Sequence, residues 1–276
     1  MGPIAALFGF TVRQTLVSRK LWLALLILAV PSVLLIVIRT VEPDVDGEQE
    51  LWELYHVPAH LFLMHVLVPL VCMVYGTALV ASEVEGRTIT YLITRRMRRA
   101  TVLLVQFVAT AVALALLCDL AMIGVHEAVL LGRDLPSILG DTHSGGWNPT
   151  ADLASYLLII PLAVVAFLAV FTLIGLLAPR PMSVSVVYFI AIELIVANIT
   201  LRARIYSIGH QLRVVTAKLM PGVPDLYDLP DPLRNELFPS GQTAWPELAA
   251  IVLIALALAA VLMTFRELTP AKVARE

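Results

Sequence analysis

Charge is scarce in this chain. Only 14% of its 276 residues are Asp, Glu, Lys or Arg, and 59% are hydrophobic; soluble domains carry about 25% charged residues. That balance excludes an ordinary water-soluble domain and describes an integral membrane protein. The length accommodates about six spanning helices of roughly 20 residues each. No sizeable soluble domain fits beside them, so residues 1–276 read as one transmembrane domain. Cysteine is nearly absent as well. Cys72 and Cys118 both fall inside apolar runs, which excludes a disulfide framework and a cysteine zinc site and leaves two small buried hydrophobes.

Sequence motifs of catalysis are missing too. There is no GxxxxGK[ST] phosphate loop, so ATP is not bound in that way, and no HExxH, GxSxG or paired-cysteine motif. The six histidines, His56, His60, His65, His126, His143 and His210, do not show metal spacing. His56 and His60 are four apart and share a helix face, but no carboxylate stands at a fitting position beside them. They read as interfacial histidines.

What is present is a succession of long apolar runs. The expected crossings are residues 21–38, 59–81, 101–125, 153–178, 183–201 and 248–265. Pro31 is a kink point in the first and Pro69 an interruption in the second. Ahead of them, Ile4, Leu7, Phe8, Val12 and Leu16 recur on roughly one side of a segment that also holds Arg13, Arg19 and Lys20. This is either an amphipathic helix in the membrane interface or a basic leader that orients the first crossing. No small-x-small cleavage site follows that crossing, so it reads as retained. Residues 39–58 form an acidic loop, residues 127–152 a loop rich in Gly, Pro, Asp and Ser, and Pro179-Arg180-Pro181 a tight turn. Between crossings five and six, Ile205, Ile208, Leu212, Val215 and Leu219 have helical spacing, and a proline-rich loop follows.

One polar stretch is ordered differently from a loop. Glu83 and Glu85 come first, then Gly86, Arg87 and Thr88, then Ile89, Leu92, Ile93 and Met97 at helical spacing, then Arg95, Arg96, Arg98 and Arg99. Acids at the amino end and bases at the carboxyl end complement a helix dipole. The stretch reads as a short amphipathic helix on the membrane surface, able to dock a soluble partner. Placing the amino terminus inside puts twelve of the nineteen Lys and Arg residues on the inner side and most acids outside. Both termini and the docking stretch are then cytoplasmic, and the long segment between crossings five and six is extracytoplasmic.

Asp119, Glu193 and His65 fall inside expected crossings. Ionisable groups there are costly and mark either a translocation path, a proton relay or an interhelical hydrogen bond. A membrane-embedded enzyme using them as acid–base groups would need them at one depth, and counting along the crossings places them at different depths.

The docking stretch and the six-crossing layout together resemble the ABC-2 type permeases, the membrane subunits of bacterial ABC exporters. The residues that carry the resemblance are Glu83, Glu85, Gly86, Thr88, Tyr91, Leu92, Ile93, Thr94 and Arg95. Arg87 intervenes where the family often has Gly and Thr adjacent, and Arg96 stands where a proline is common. The resemblance implies that Glu83, Glu85, Gly86, Arg87, Thr88, Tyr91, Leu92, Arg95, Arg96 and Arg98 form a coupling helix against a separate cytoplasmic ATPase. It implies an all-α, multi-pass protein of the bacterial inner membrane that works with a second permease chain, identical or not, and can meet an extracytoplasmic accessory protein. ATP and magnesium would belong to the ATPase, with no cofactor in this chain, no catalysis by it alone and no nucleic-acid partner. The cargo expected from spans rich in Leu, Val and Ala is amphiphilic or lipid-like. A scaffold that docks an ATPase without passing cargo is the alternative.

Overall fold

The computed structural model describes residues 3–41, 47–85, 99–131, 147–198, 202–227 and 244–265. Among them there is no strand. The helices are α1 (Pro3–Val17), α2 (Arg19–Val41), α3 (Glu48–His56), α4 (Val68–Glu85), α5 (Arg99–Leu130), α6 (Pro149–Leu177), α7 (Pro181–Tyr188), α8 (Ile208–Leu219) and α9 (Ala244–Phe265). A π-helical stretch, Val57–Leu67, joins α3 to α4, and a second, Phe189–Ile195, continues α7 into a final turn at Val196–Asn198. Six of the resulting helices are long and apolar enough to cross a membrane.

The expected crossings centre on these six helices, but several helices run further. Residues 48–58, expected in the acidic loop, are helical. The acids of α3 mask an i, i+4 pair, Leu51 and Tyr55, whose side chains are buried and hold that turn to the bundle. At α6, the Asn148 side chain accepts a hydrogen bond from the Ala151 amide at 3.1 Å, and Pro149 occupies the first helical position. This is a capped start. The tight turn expected at Pro179-Arg180-Pro181 is found between α6 and α7.

Contacts order the bundle by its two ends. Leu79 of α4, Leu103 of α5, Leu176 of α6 and Ala259 and Met263 of α9 form one apolar cluster. Next to it, Thr11 and Lys20 share a cavity with Tyr75 and Gln106. The opposite end gathers Tyr55, His56, His126, Trp147 and Tyr156. Successive long helices therefore alternate in direction, and α1 and the end of α9 lie at the same end.

The second and fourth crossings run parallel and make the most extensive interface. Two glycines bring their backbones close. A Cβ on Gly76 would stand 2.8 Å from the Phe171 Cβ, and one on Gly175 would stand 3.1 Å from Thr77 Cα and O. Small residues of this kind let apolar helices pack without help from water. The outer layer is different. Trp22 is 75% exposed, Val187 65% and Leu253 67%. Apolar surface of that extent on α2, α7 and α9 is suited to lipid or to another membrane-embedded chain.

Candidate functional site

The fifth crossing ends in a polar knot that fastens it to α8. Glu193, only 5% exposed, lies in the π-helical stretch Phe189–Ile195. Its Oε1 accepts from the Tyr188 hydroxyl at 2.9 Å and from the Ile208 amide at 3.2 Å. Its Oε2 accepts from the Ser207 hydroxyl at 2.8 Å and the Gly209 amide at 2.7 Å. The carboxylate thus sits on the first amides of α8, where orphan N–H groups and the helix dipole favour an anion. Ser207 is the N-cap, its Oγ accepting from the His210 amide at 3.3 Å. Gly209 permits the approach, since a Cβ there would stand 3.0 Å from Glu193 Oε2.

Further along α8, Arg213 closes the knot. Its Nη1 donates to the Ala197 carbonyl at 3.2 Å and its Nη2 to Asn198 Oδ1 at 2.8 Å. Gln211 Nε2 donates to the Ile205 carbonyl at 2.6 Å. These bonds explain a departure from the sequence reading. The helical spacing of Ile208, Leu212, Val215 and Leu219 suggests a helix with one wet face, yet residues 208–216 are all buried. The polar side of α8 is covered by the end of the fifth crossing and by the turn Arg202–Tyr206, whose carbonyls and side chains replace water.

The second crossing brings its own polar groups to this place. Pro69 cannot donate to the His65 carbonyl, and the preceding segment is π-helical, with the Val68 amide donating to Leu63 five residues back. His65 Nδ1 donates to the His60 carbonyl at 2.8 Å, and the two imidazoles stand 4.7 Å apart. The His65 Cδ2 lies 3.7 Å from where a Gly209 Cβ would be. His65 and Glu193, expected at different depths, therefore converge on Gly209. Both Glu193 oxygens are occupied by four donors in all, which suits a structural tie better than a proton relay. His210 on α8 is fully buried, and neither ring nitrogen has a hydrogen-bond partner among the described residues. Burial, with Arg204 and Arg213 nearby, pushes its imidazole down to about 4, so it is neutral at pH 7.

Asp119 is apart from this knot. It is half-buried on α5, and its Oδ1 has no hydrogen-bond partner among the described residues. Of the docking stretch, Glu83 and Glu85 belong to the last turn of α4, with only their backbone described. Gly86, Arg87, Thr88, Tyr91, Leu92, Arg95, Arg96 and Arg98 lie outside the described residues.

Sequence reading missed a second polar constellation at the far end of the second and fourth crossings. His56 Nδ1 is 2.8 Å from the Tyr156 hydroxyl and His56 Nε2 is 3.0 Å from Asp152 Oδ2. Trp147 Nε1 donates to the same oxygen at 2.8 Å. Tyr55 packs edge-on against His56, His126 and Tyr156. His56 lies roughly 100 residues from Asp152 and Tyr156 in the chain, so no local spacing could reveal that pairing. This cluster pairs a buried imidazole with a carboxylate and covers it with aromatic rings, as interhelical anchors in apolar surroundings require. Among the described residues no group of three or more His, Cys, Asp or Glu side chains is placed to hold a metal ion. Compared with protein-family models and with curated proteins, the chain matches none.

Proposed function

We propose that this chain is the permease subunit of an ATP-driven exporter in the bacterial inner membrane. In this reading it forms the translocation path and takes its energy from a separate cytoplasmic ATPase. The observation that carries the proposal is the acid-then-base stretch from Glu83 to Arg99, together with the place where its flanking helices meet the bundle. The end of α4 and the start of α5 lie beside Leu79 and Leu103, at the end that also holds α1, Arg19, Lys20 and the Arg180 turn. By the positive-inside rule that end is cytoplasmic, and both termini lie on that side. A partner gripping this stretch pulls directly on the second and third crossings, which together with the fourth are the most buried of the six long helices. Differential contacts of the ATPase in its two nucleotide states then bias two arrangements of the spans.

The exposed apolar faces of α2, α7 and α9 support pairing with a second permease chain, identical or not. The cargo in this reading is amphiphilic or lipid-like, and ATP with magnesium is bound by the ATPase. The saturated carboxylate of Glu193 argues against a membrane-embedded enzyme that uses it as a base. The test is reversal of charge at Glu83 and Glu85 by lysine. The ATPase is expected to stop co-purifying, and its stimulation by the permease is expected to fall to the basal rate. Undiminished association and stimulation would overturn the proposal; association without transport in reconstituted vesicles would favour a scaffold.

A further inference from the structure

A groove of about 430 Å³ lies between α2 and the opening half of the second crossing. Val30, Leu34 and Ile38 form one wall, repeating every fourth residue along α2. That stripe is about 12 Å long at 1.5 Å per residue. The facing wall is Leu54, Val57 and Phe62. Pro31 and Pro58 also line it, so each wall contains a residue without an N–H. Val30, Leu34 and Phe62 remain 47%, 55% and 52% exposed, so the apolar floor is accessible from the lipid.

The charge at one rim distinguishes this groove from an ordinary lipid-facing furrow. Among the described residues, Glu50 and Glu53 are its only charged lining residues, both exposed. They are three apart on α3 and share a face, where like charges repel by a few tenths of a kcal/mol. Among the described residues no Lys or Arg lines the groove. Arg39, next to it in sequence, directs its Nη2 to the Leu131 carbonyl just past α5 at 3.4 Å. A neutral tail would fill the floor and leave both carboxylates in repulsion. A tail ending in a cation satisfies both parts at once.

We infer that this groove binds an amphiphile with an apolar tail and a cationic head, the tail along Val30, Leu34 and Ile38 and the head between Glu50 and Glu53. As a cargo site it rests on the permease reading above; as a binding site it does not.

The experiment uses the purified full chain in nanodiscs of zwitterionic lipid. The probe is dodecyltrimethylammonium carrying a photoreactive diazirine in its tail, with the matching dodecyl alcohol probe as the neutral control. The cationic probe should label saturably, and the label should map to residues 30–38 and 50–62. Replacing both carboxylates (Glu50→Gln with Glu53→Gln) should weaken the cationic probe by about fivefold and leave the neutral probe unchanged. Filling the floor with Leu34→Trp should reduce labelling by both. Equal labelling by the two probes, indifference of the double variant, or labelling elsewhere would overturn the inference. Labelling as expected without ATPase coupling would remove the permease reading alone, and the reverse result would remove only the groove.

Discussion

Glu193 and Asp119 are both carboxylates within helices long enough to cross a membrane, and the molecule treats them in opposite ways. Glu193 is almost wholly buried and receives four hydrogen bonds, two of them from the first amides of α8. Asp119 is half-buried, with one oxygen lacking any partner among the described residues. An acid inside a membrane segment is costly in either case. The difference is where the compensation comes from. Around Glu193 it is supplied by this chain and spent on anchoring α8, while Asp119 retains hydrogen-bonding capacity toward water, lipid headgroups or a ligand.

The contrast can be broken most sharply by removing the saturated member. Glu193→Ala leaves two amides and two hydroxyls without their acceptor in a buried site, and a loss of about 3 kcal/mol is expected. Thermal unfolding in detergent should show a large drop in midpoint, and proteolysis should open the segment around residues 202–207. A shift no greater than that of a surface variant would mean the knot is not an anchor. A smaller effect is expected from Gly209→Ala. Overpacking costs typically 1–3 kcal/mol, and the gain in helix propensity offsets up to about 1 kcal/mol of it. The net should be a loss of about 1 kcal/mol, and a stabilised variant would show that the carboxylate yields freely.

Acidification tests the same knot from its other side. The folded protein holds His210 near 4, below the ordinary histidine value of about 6.5. Between those values the unfolded chain takes up a proton that the folded chain refuses, so stability should fall as pH drops from about 6.5 toward 4. His210→Gln should flatten that part of the midpoint-versus-pH curve. An unchanged curve would remove His210 from the account. The smallest effect is expected at Asp119. Asp119→Asn should leave the midpoint within about 0.5 kcal/mol of the parent, and a drop as large as that of Glu193→Ala would erase the distinction between the two sites.

Much of this architecture is legible from hydropathy alone. Six apolar runs become six long helices, because backbone groups in an apolar medium must be satisfied within the helix itself. Helix ends are less legible. The acids of α3 disguise a helical turn as a loop, since exposed Glu50 and Glu53 outweigh the Leu51 and Tyr55 pair in any composition reading. The candidate sites divide in the same way. The helical spacing of Ile208, Leu212 and Val215 is readable, whereas the Ser207 cap of that helix and its use by a carboxylate fourteen residues earlier are not. The Gly76 and Gly175 approach and the pairing of His56 with Asp152 and Tyr156 are likewise invisible to any local window.

The order of residues by itself determined a helical architecture among the described residues, the approximate place of six helices apolar and long enough to cross a membrane, and the asymmetry of the basic residues. Those features depend on composition and periods of a few residues, and the bilayer's thickness turns them directly into lengths. Tertiary structure alone decided that His65 and Glu193 meet at Gly209, that the polar face of α8 is buried, and that Glu50 and Glu53 border an apolar groove. Each of these joins segments distant in sequence or depends on which face a helix turns to its neighbours, and only the packing of the whole bundle sets that rotation.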